Sequence, residues 1–418
     1  MKNLILTLII TLPITLWGQG WEQTYDLEIN SPSGEVGLYI QETTDGNYIV
    51  IGEGLSHGEY EDTISQSEYF LFLLKINPNG NIIFINSFEG LSDGFGEIGE
   101  QTDDEGYIFT GISEESTIRL IKTNSVGEQE WTQDYENGSG SSVKQTNDGG
   151  YILIGSLSFP FDNNLFIRKL DLNGDVEWSK YYGGDTSVEG SKVQQSSDNG
   201  FVFTGMTNNS IVLGKIDENG NDIWIENYDN STQGHDFVEV EDGYMILGGN
   251  DMVIIKTDLN GNELWRENYN NYTGYDIDLV FDNNFIICGT KEYNNTDSTE
   301  LFIMKIDENG NVLWEQNYGD LTGVGFNIYQ LVNGEYIVTG GKYVDGEIYK
   351  IEFMDVLIIK TDDQGNITST FEITLPNPDR KLEKTINLKG QEIKPKTGQP
   401  IIEIFDDGSV EKKLIIEK

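Results

Sequence analysis

The chain has 418 residues, with 48 glycines, 8 prolines and 11% aromatic residues, which suits one large repeat domain and excludes disorder. Its formal charge is −45, and a field of that sign repels nucleic acid and anionic lipid surfaces, so neither is expected as a partner. The single cysteine, Cys288, rules out an intramolecular disulfide and sits in the apolar stretch Phe285-Ile286-Ile287-Cys288-Gly289, where it reads as a buried structural thiol.

At the N-terminus, Lys2 precedes an apolar run over 4–17, and Gly18 offers a small residue for cleavage. That pattern predicts a secretory signal peptide over 1–18. The run is too short for a membrane span, and Pro13 interrupts it. No other stretch is long enough, so the mature chain is expected to carry no transmembrane span.

Over 19–375 two lines of sequence alternate seven times. The first is an apolar strand ending in lysine, a turn ending in glycine, and a strand carrying tryptophan. Its lysines are Lys75, Lys122, Lys169, Lys215, Lys256, Lys305 and Lys360, which define repeats 1 to 7. The glycines are Gly80, Gly127, Gly174, Gly220, Gly261, Gly310 and Gly365. The indoles are Trp131, Trp178, Trp224, Trp265 and Trp314, with Thr368 at or near that place in repeat 7. The second line is a turn followed by an aromatic and apolar strand that closes on glycine, as in Gly149-Gly150-Tyr151 to Gly155.

Each repeat holds four strand-sized pieces; around repeat 3 they are 130–135 or 177–181, then 142–145, 151–154 and 165–170. Asp-Gly, Asn-Gly and Gly-Gly between them are hairpin signals, since such turns need positive φ. No helical apolar stripe competes. Spacings of about 41 to 59 residues match propeller blades, so the expected fold is an all-β, seven-bladed β-propeller of four-stranded antiparallel blades. Closure into a ring hides the strand edges. Trp21-Glu22-Gln23-Thr24-Tyr25 matches Trp314-Glu315-Gln316-Asn317-Tyr318, so an N-terminal strand is one candidate for the closing clasp, and 367–373 is the other. A linear β-solenoid is the alternative architecture.

The first line resembles the tryptophan-docking repeat of quinoprotein dehydrogenase propellers, with its Asp and Gly one residue closer together. The resemblance implies a structural role, each indole wedged between blades. The line also resembles, with a wider Asp–Gly spacing, the Asp-box of sialidase-like propellers, a turn device remote from the active site. The framework lysines are expected to pair with acids in their own blades, with a ligand-binding ring as the alternative. Turn chemistry accounts for the acidic turns 217–222 and 307–311. Calcium is the one metal such turns would take, through oxygen ligands at alternating positions. No cofactor signature is present. His57 and His235 lie in Gly-rich loops without metal-ligand spacing.

Composition changes near Pro376: 16 Lys and Arg lie in 19–375, and nine follow in 379–418 against eight acids. The segment 376–418 reads Pro376-Asn377-Pro378, Leu388-Lys389-Gly390-Gln391-Glu392, Ile401-Ile402-Glu403-Ile404-Phe405-Asp406-Asp407-Gly408, then Val410-Glu411-Lys412-Lys413-Leu414. It resembles the C-terminal sorting domain of the type IX secretion system of Bacteroidetes, carried by the Pro-Asn-Pro opening, Gly390, Gly408, Lys412 and Lys413. That implies a short C-terminal β tail, the type IX machinery as partner, and a secreted or outer-membrane-surface location. The function expected is non-catalytic binding of a glycan or protein through the long inserts 55–68, 156–164, 291–300 and 342–355, since loops on a rigid scaffold carry binding. The alternative is a carboxylate-dependent hydrolase such as a glycosidase, with two carboxylates at one mouth of the central channel.

Overall fold

Alternating Val, Ile, Leu, Tyr and Phe broken by tight turns make strands, and strands are the regular elements found among the residues that the computed structural model describes. It describes residues 20–27, 33–57, 67–90, 98–158, 164–183, 188–207, 210–229, 233–292, 299–319, 323–343, 354–367, 381–386, 394, 400–405 and 410–414. The signal segment 1–18, Gly390, Gly408 and most of the long inserts lie outside these residues. Among the described residues no helix is long and apolar enough to cross a membrane.

Repeat 1 forms an antiparallel sheet in sequence order from Ser33–Glu42, Tyr48–His57, Ser67–Ile76 and Ile82–Glu89. Repeats 4, 5 and 6 do the same, starting with Val188–Gln195, Gly234–Val240 and Tyr272–Leu279. Repeats 2 and 3 share one seven-stranded sheet. The strands expected separately at 130–135 and 142–145 are one strand, Gln129–Gln145, of 17 residues. Its first half pairs with Thr117–Thr123 of repeat 2, and its second half with Tyr151–Leu157 of repeat 3. No loop intervenes here to end the strand, so the described residues of the body form six sheets.

Repeat 7 supplies Gly323–Gln330, Tyr336–Tyr343 and Met354–Thr361, and its fourth strand is Trp21–Tyr25 from the other end of the chain. Trp21 stands opposite Lys360, the place expected of Thr368. The first strands of successive repeats touch, and Gly323–Gln330 meets Ser33–Glu42. The sheets therefore close into a ring, the β-propeller arrangement.

The core lies between neighbouring sheets. Ile152, Ile154, Leu165 and Ile167 of repeat 3 pack against Val193, Phe201, Phe203 and Val212 of repeat 4. Full burial of such side chains contributes roughly 1.5–3 kcal/mol each. The glycine that closes the second strand has a steric cause. The first strand bulges at Gly190 to Lys192, and a Cβ on Gly205 would collide with the Glu189 carbonyl. Gly340 meets the Val324 carbonyl in the same way.

The chain divides into two compact units, Met1–Thr368 and Ser369–Lys418. The second contains a three-stranded antiparallel sheet of Leu382–Ile386, Pro400–Phe405 and Val410–Leu414. Lys412 and Lys413 lie in its last strand.

Candidate functional site

Cross-strand register places each framework lysine opposite the indole of its own repeat: Lys122 faces Trp131, Lys169 faces Trp178, Lys215 faces Trp224, Lys256 faces Trp265 and Lys305 faces Trp314. Phe84 takes the indole's place opposite Lys75. Each ammonium reaches an acid in the turn that opens the second strand of its own repeat. The pairs are Lys75–Asp45 at 2.7 Å, Lys122–Asp104 at 2.8 Å, Lys169–Asp148 at 2.9 Å and Lys215–Asp198 at 2.7 Å. Lys256–Asp242 at 2.5 Å, Lys305–Asp282 at 2.7 Å and Lys360–Glu335 at 2.8 Å complete the set. Burial alone would lower the Lys75 and Lys305 pKa, but their hydrogen bonds to Asp45 and Asp282 hold it above the ordinary value. Each of these seven cations is paired with an acid of its own sheet.

The indoles lie half-buried at the boundaries between repeats. Trp178 packs edge-on against Phe201, and Trp224 lies tilted against Tyr244, in each case an aromatic of the following repeat. Each also covers the turn glycine of that repeat: Gly174 lies under Trp131, Gly220 under Trp178, Gly261 under Trp224, Gly310 under Trp265 and Gly365 under Trp314.

A second residue of this contact went unread in the sequence. Four positions after the indole stands a tyrosine, and five of these donate their hydroxyl to the carbonyl of the turn glycine in the following repeat, whereas Tyr182 donates to Asp222 of that repeat at 2.6 Å. Tyr25 reaches Gly80 at 2.7 Å, Tyr135 reaches Gly174 at 2.6 Å and Tyr228 reaches Gly261 at 2.6 Å. Tyr269 reaches Gly310 at 2.7 Å, and Tyr318 reaches Gly365 at 2.6 Å. Burial pushes the Tyr269 pKa up to about 12, which keeps it a donor. Repeat 1 has phenylalanine there, and the Asn86 side chain donates to Gly127 instead, at 2.9 Å. The periodic Trp-x-x-x-Tyr spacing was the available signal.

The inner strands hold the carboxylates that a hydrolase would need. Asp236 accepts from Phe237 N–H at 2.6 Å and Ile277 N–H at 3.0 Å, and pairs with Lys192 at 2.5 Å. Asp276 accepts from Ile328 N–H at 2.8 Å and from the Asn327 amide at 2.9 Å. Asn327 in turn accepts from Ile40 N–H at 2.9 Å. These groups stitch the first strands of repeats 4 to 7 and repeat 1 to one another. Glu100 lies 3.4 Å from Lys144.

His235 stacks on Tyr275 with ring centroids 5.6 Å apart, and its Nδ1 lies 2.8 Å from the Gly274 carbonyl. Burial pushes its pKa down, so the ring is neutral near pH 7. The Cys288 thiol is buried, and burial pushes its pKa up, which makes it unreactive.

The acidic turns use their own carboxylates. Asp217 accepts from Asn219 N–H at 2.9 Å and Asn221 N–H at 2.8 Å, and Asp307 does the same with Asn309 and Asn311, each at 2.9 Å. Among the described residues, no three His, Cys, Asp or Glu side chains gather as a metal site.

No family model matches the chain. No curated protein matches it. Two solved structures to which it is similar are crystals of BBS1N in complex with ARL6DN. The one soaked with mercury is 9% identical over 72% of this chain and 89% of that chain, with a TM-score of 0.43. The one soaked with lead is 9% identical over 84% of this chain and 99% of that chain, with a TM-score of 0.47.

Proposed function

We propose that this protein is a secreted or cell-surface, non-catalytic seven-bladed propeller that binds a glycan or protein partner through the long inserts of one face. The count of seven takes the two halves of Gln129–Gln145 as belonging to two blades. The observation that carries the reading is how the repeated polar groups are used. Framework lysines are engaged within their own sheets, and boundary tyrosines and the inner-strand carboxylates Asp236 and Asp276 hold neighbouring sheets together. A hydrolase would need a carboxylate free to exchange a proton with substrate. The inserts 55–68, 156–164, 291–300 and 342–355 all connect second to third strands, so topology assigns them to a single face.

The test is a glycan and protein array probed with the full chain and with variants in which 291–300 and 342–355 are shortened to tight turns. Binding should vanish in the shortened variants while thermal midpoints stay unchanged. Retained binding would refute the loop assignment, and hydrolysis of an arrayed glycan would refute the non-catalytic one.

We propose further that 1–18 directs export and that 376–418 is read by the type IX machinery. Fusing 376–418 to a periplasmic reporter in a host with that system should send the reporter to the surface or medium. A reporter that stays in the periplasm would refute the assignment.

A further inference from the structure

On the face opposite the long inserts, five hydrogen bonds of one kind join the turns of successive repeats. The backbone N–H of Thr44 donates to Gln101 Oε1 at 2.9 Å, Asp103 to Gln145 at 2.8 Å and Asn147 to Gln195 at 2.8 Å. Phe281 donates to Gln330 at 2.8 Å, and Val332 to Glu42 Oε2 at 3.0 Å. Each acceptor is the first-strand residue paired with the aromatic of the second strand, as Gln145 is with Tyr151. Across the repeats that register position holds Glu42, Gln101, Gln145, Gln195, Glu239, Leu279 and Gln330. Leu279 cannot accept. The repeat 5 hairpin that would donate to it is also tighter, with Val240 paired directly to Gly243.

The series is thus interrupted between repeats 4 and 5, where Glu239 accepts no such bond, and again between repeats 5 and 6, where a groove of about 940 Å³ lies. The corresponding groove between repeats 1 and 2, where Gln101 makes its bond, has about 280 Å³. Leu279, Val240, Leu264 and Leu259 give the larger groove an aliphatic lining, and Leu264 and Leu259 are 56% and 48% exposed. Glu241, Asp242, Asp258 and Glu308 supply its acids. Its one cation, Lys256, is taken by Asp242. Asparagine hydrogen bonds hold the Asp258 pKa down, so that carboxylate stays ionised.

We infer that this groove binds a peptide segment of a partner protein that presents a leucine-like side chain beside Lys or Arg. An aliphatic floor beside four carboxylates, of which the one cation pairs with Asp242 alone, is complementary to that chemistry. A sugar would need an open aromatic face, and Trp265 covers Gly310 with its ring. The site is independent of the inserts on the other face.

The probe is a fluorescein-labelled hexapeptide of alternating leucine and lysine, titrated with the full chain and read by polarisation at about 150 mM salt, where screening acts beyond about 8 Å. Saturable binding is expected. Alanine in place of leucine should weaken it about tenfold, through loss of buried aliphatic area. Leu279→Gln, which restores the residue type of four other repeats, should weaken it about as much. Glu241→Lys with Glu308→Lys should do so too, while Gln145→Leu on another junction should leave it unchanged. Equal binding of the leucine and alanine peptides would reduce the effect to general attraction by an acidic surface and overturn the inference. Unchanged binding by Leu279→Gln, or no saturable binding by the wild-type chain, would also overturn it.

Discussion

The contact between each indole and the next repeat's turn glycine can be weighed by substituting two glycines that differ only in what lies above them. Gly261 has φ +80°, and a Cβ there would stand 2.8 Å from Trp224 Cζ3. Gly149 has φ +83°, and nothing lies within 4 Å of its Cβ position. Alanine at either site takes a left-handed conformation at a cost of roughly 1–2 kcal/mol. At 261 it must also displace a half-buried indole, and overpacking of that kind costs about 1–3 kcal/mol more. Gly261→Ala should therefore lower the urea midpoint further than Gly149→Ala. In a Trp224→Ala background the excess should disappear, giving a coupling of about 1–2 kcal/mol between positions 224 and 261. Costs that agree within about 0.5 kcal/mol, or a cycle that closes without coupling, would refute the claim that the indole seals this boundary.

Removing the buried hydroxyl in Tyr228→Phe should cost about 1 kcal/mol and leave the Gly261 carbonyl without its donor, whereas the half-exposed Tyr181→Phe should change the urea midpoint little. Lys360→Met strands Glu335 in a pair of which both side chains are buried, and should cost about 3–5 kcal/mol. Lys215→Met frees a half-exposed Asp198 and should cost about 1 kcal/mol or less by the same denaturation assay. The Lys215 hydrogen bond, with help from Ser196, lowers the Asp198 pKa to about 2. Because the folded value lies below the ordinary 3.8, this stability is present above about pH 4 and lost as pH falls toward 2. Lys215→Asn should flatten thermal midpoints across that window. Burial lowers the His235 pKa, so its contribution is full above about pH 6.5 and lost on acidification below it. His235→Phe should remove that step from a melting series, and an unaltered step would show that another group titrates there.

Sequence alone determined the all-β class, the antiparallel four-strand repeat, and the positions of the framework lysines and indoles. Those features are local: side-chain alternation, Gly-rich turns and a repeated spacing specify them within one hairpin. Tertiary structure decided which segment completes repeat 7, since Trp21 and Lys360 meet only when the ring closes. It decided that residues 129–145 form one strand serving two repeats, because strand length depends on how closely neighbouring sheets are joined. It identified the acid that each lysine reaches in a chain crowded with carboxylates, and the carbonyl that five of the boundary tyrosines cap. It also exposed Leu279 as a break in a series of side-chain acceptors. A leucine in a strand is ordinary by itself, and its meaning comes from the hydrogen bond that five other repeats make at the same place.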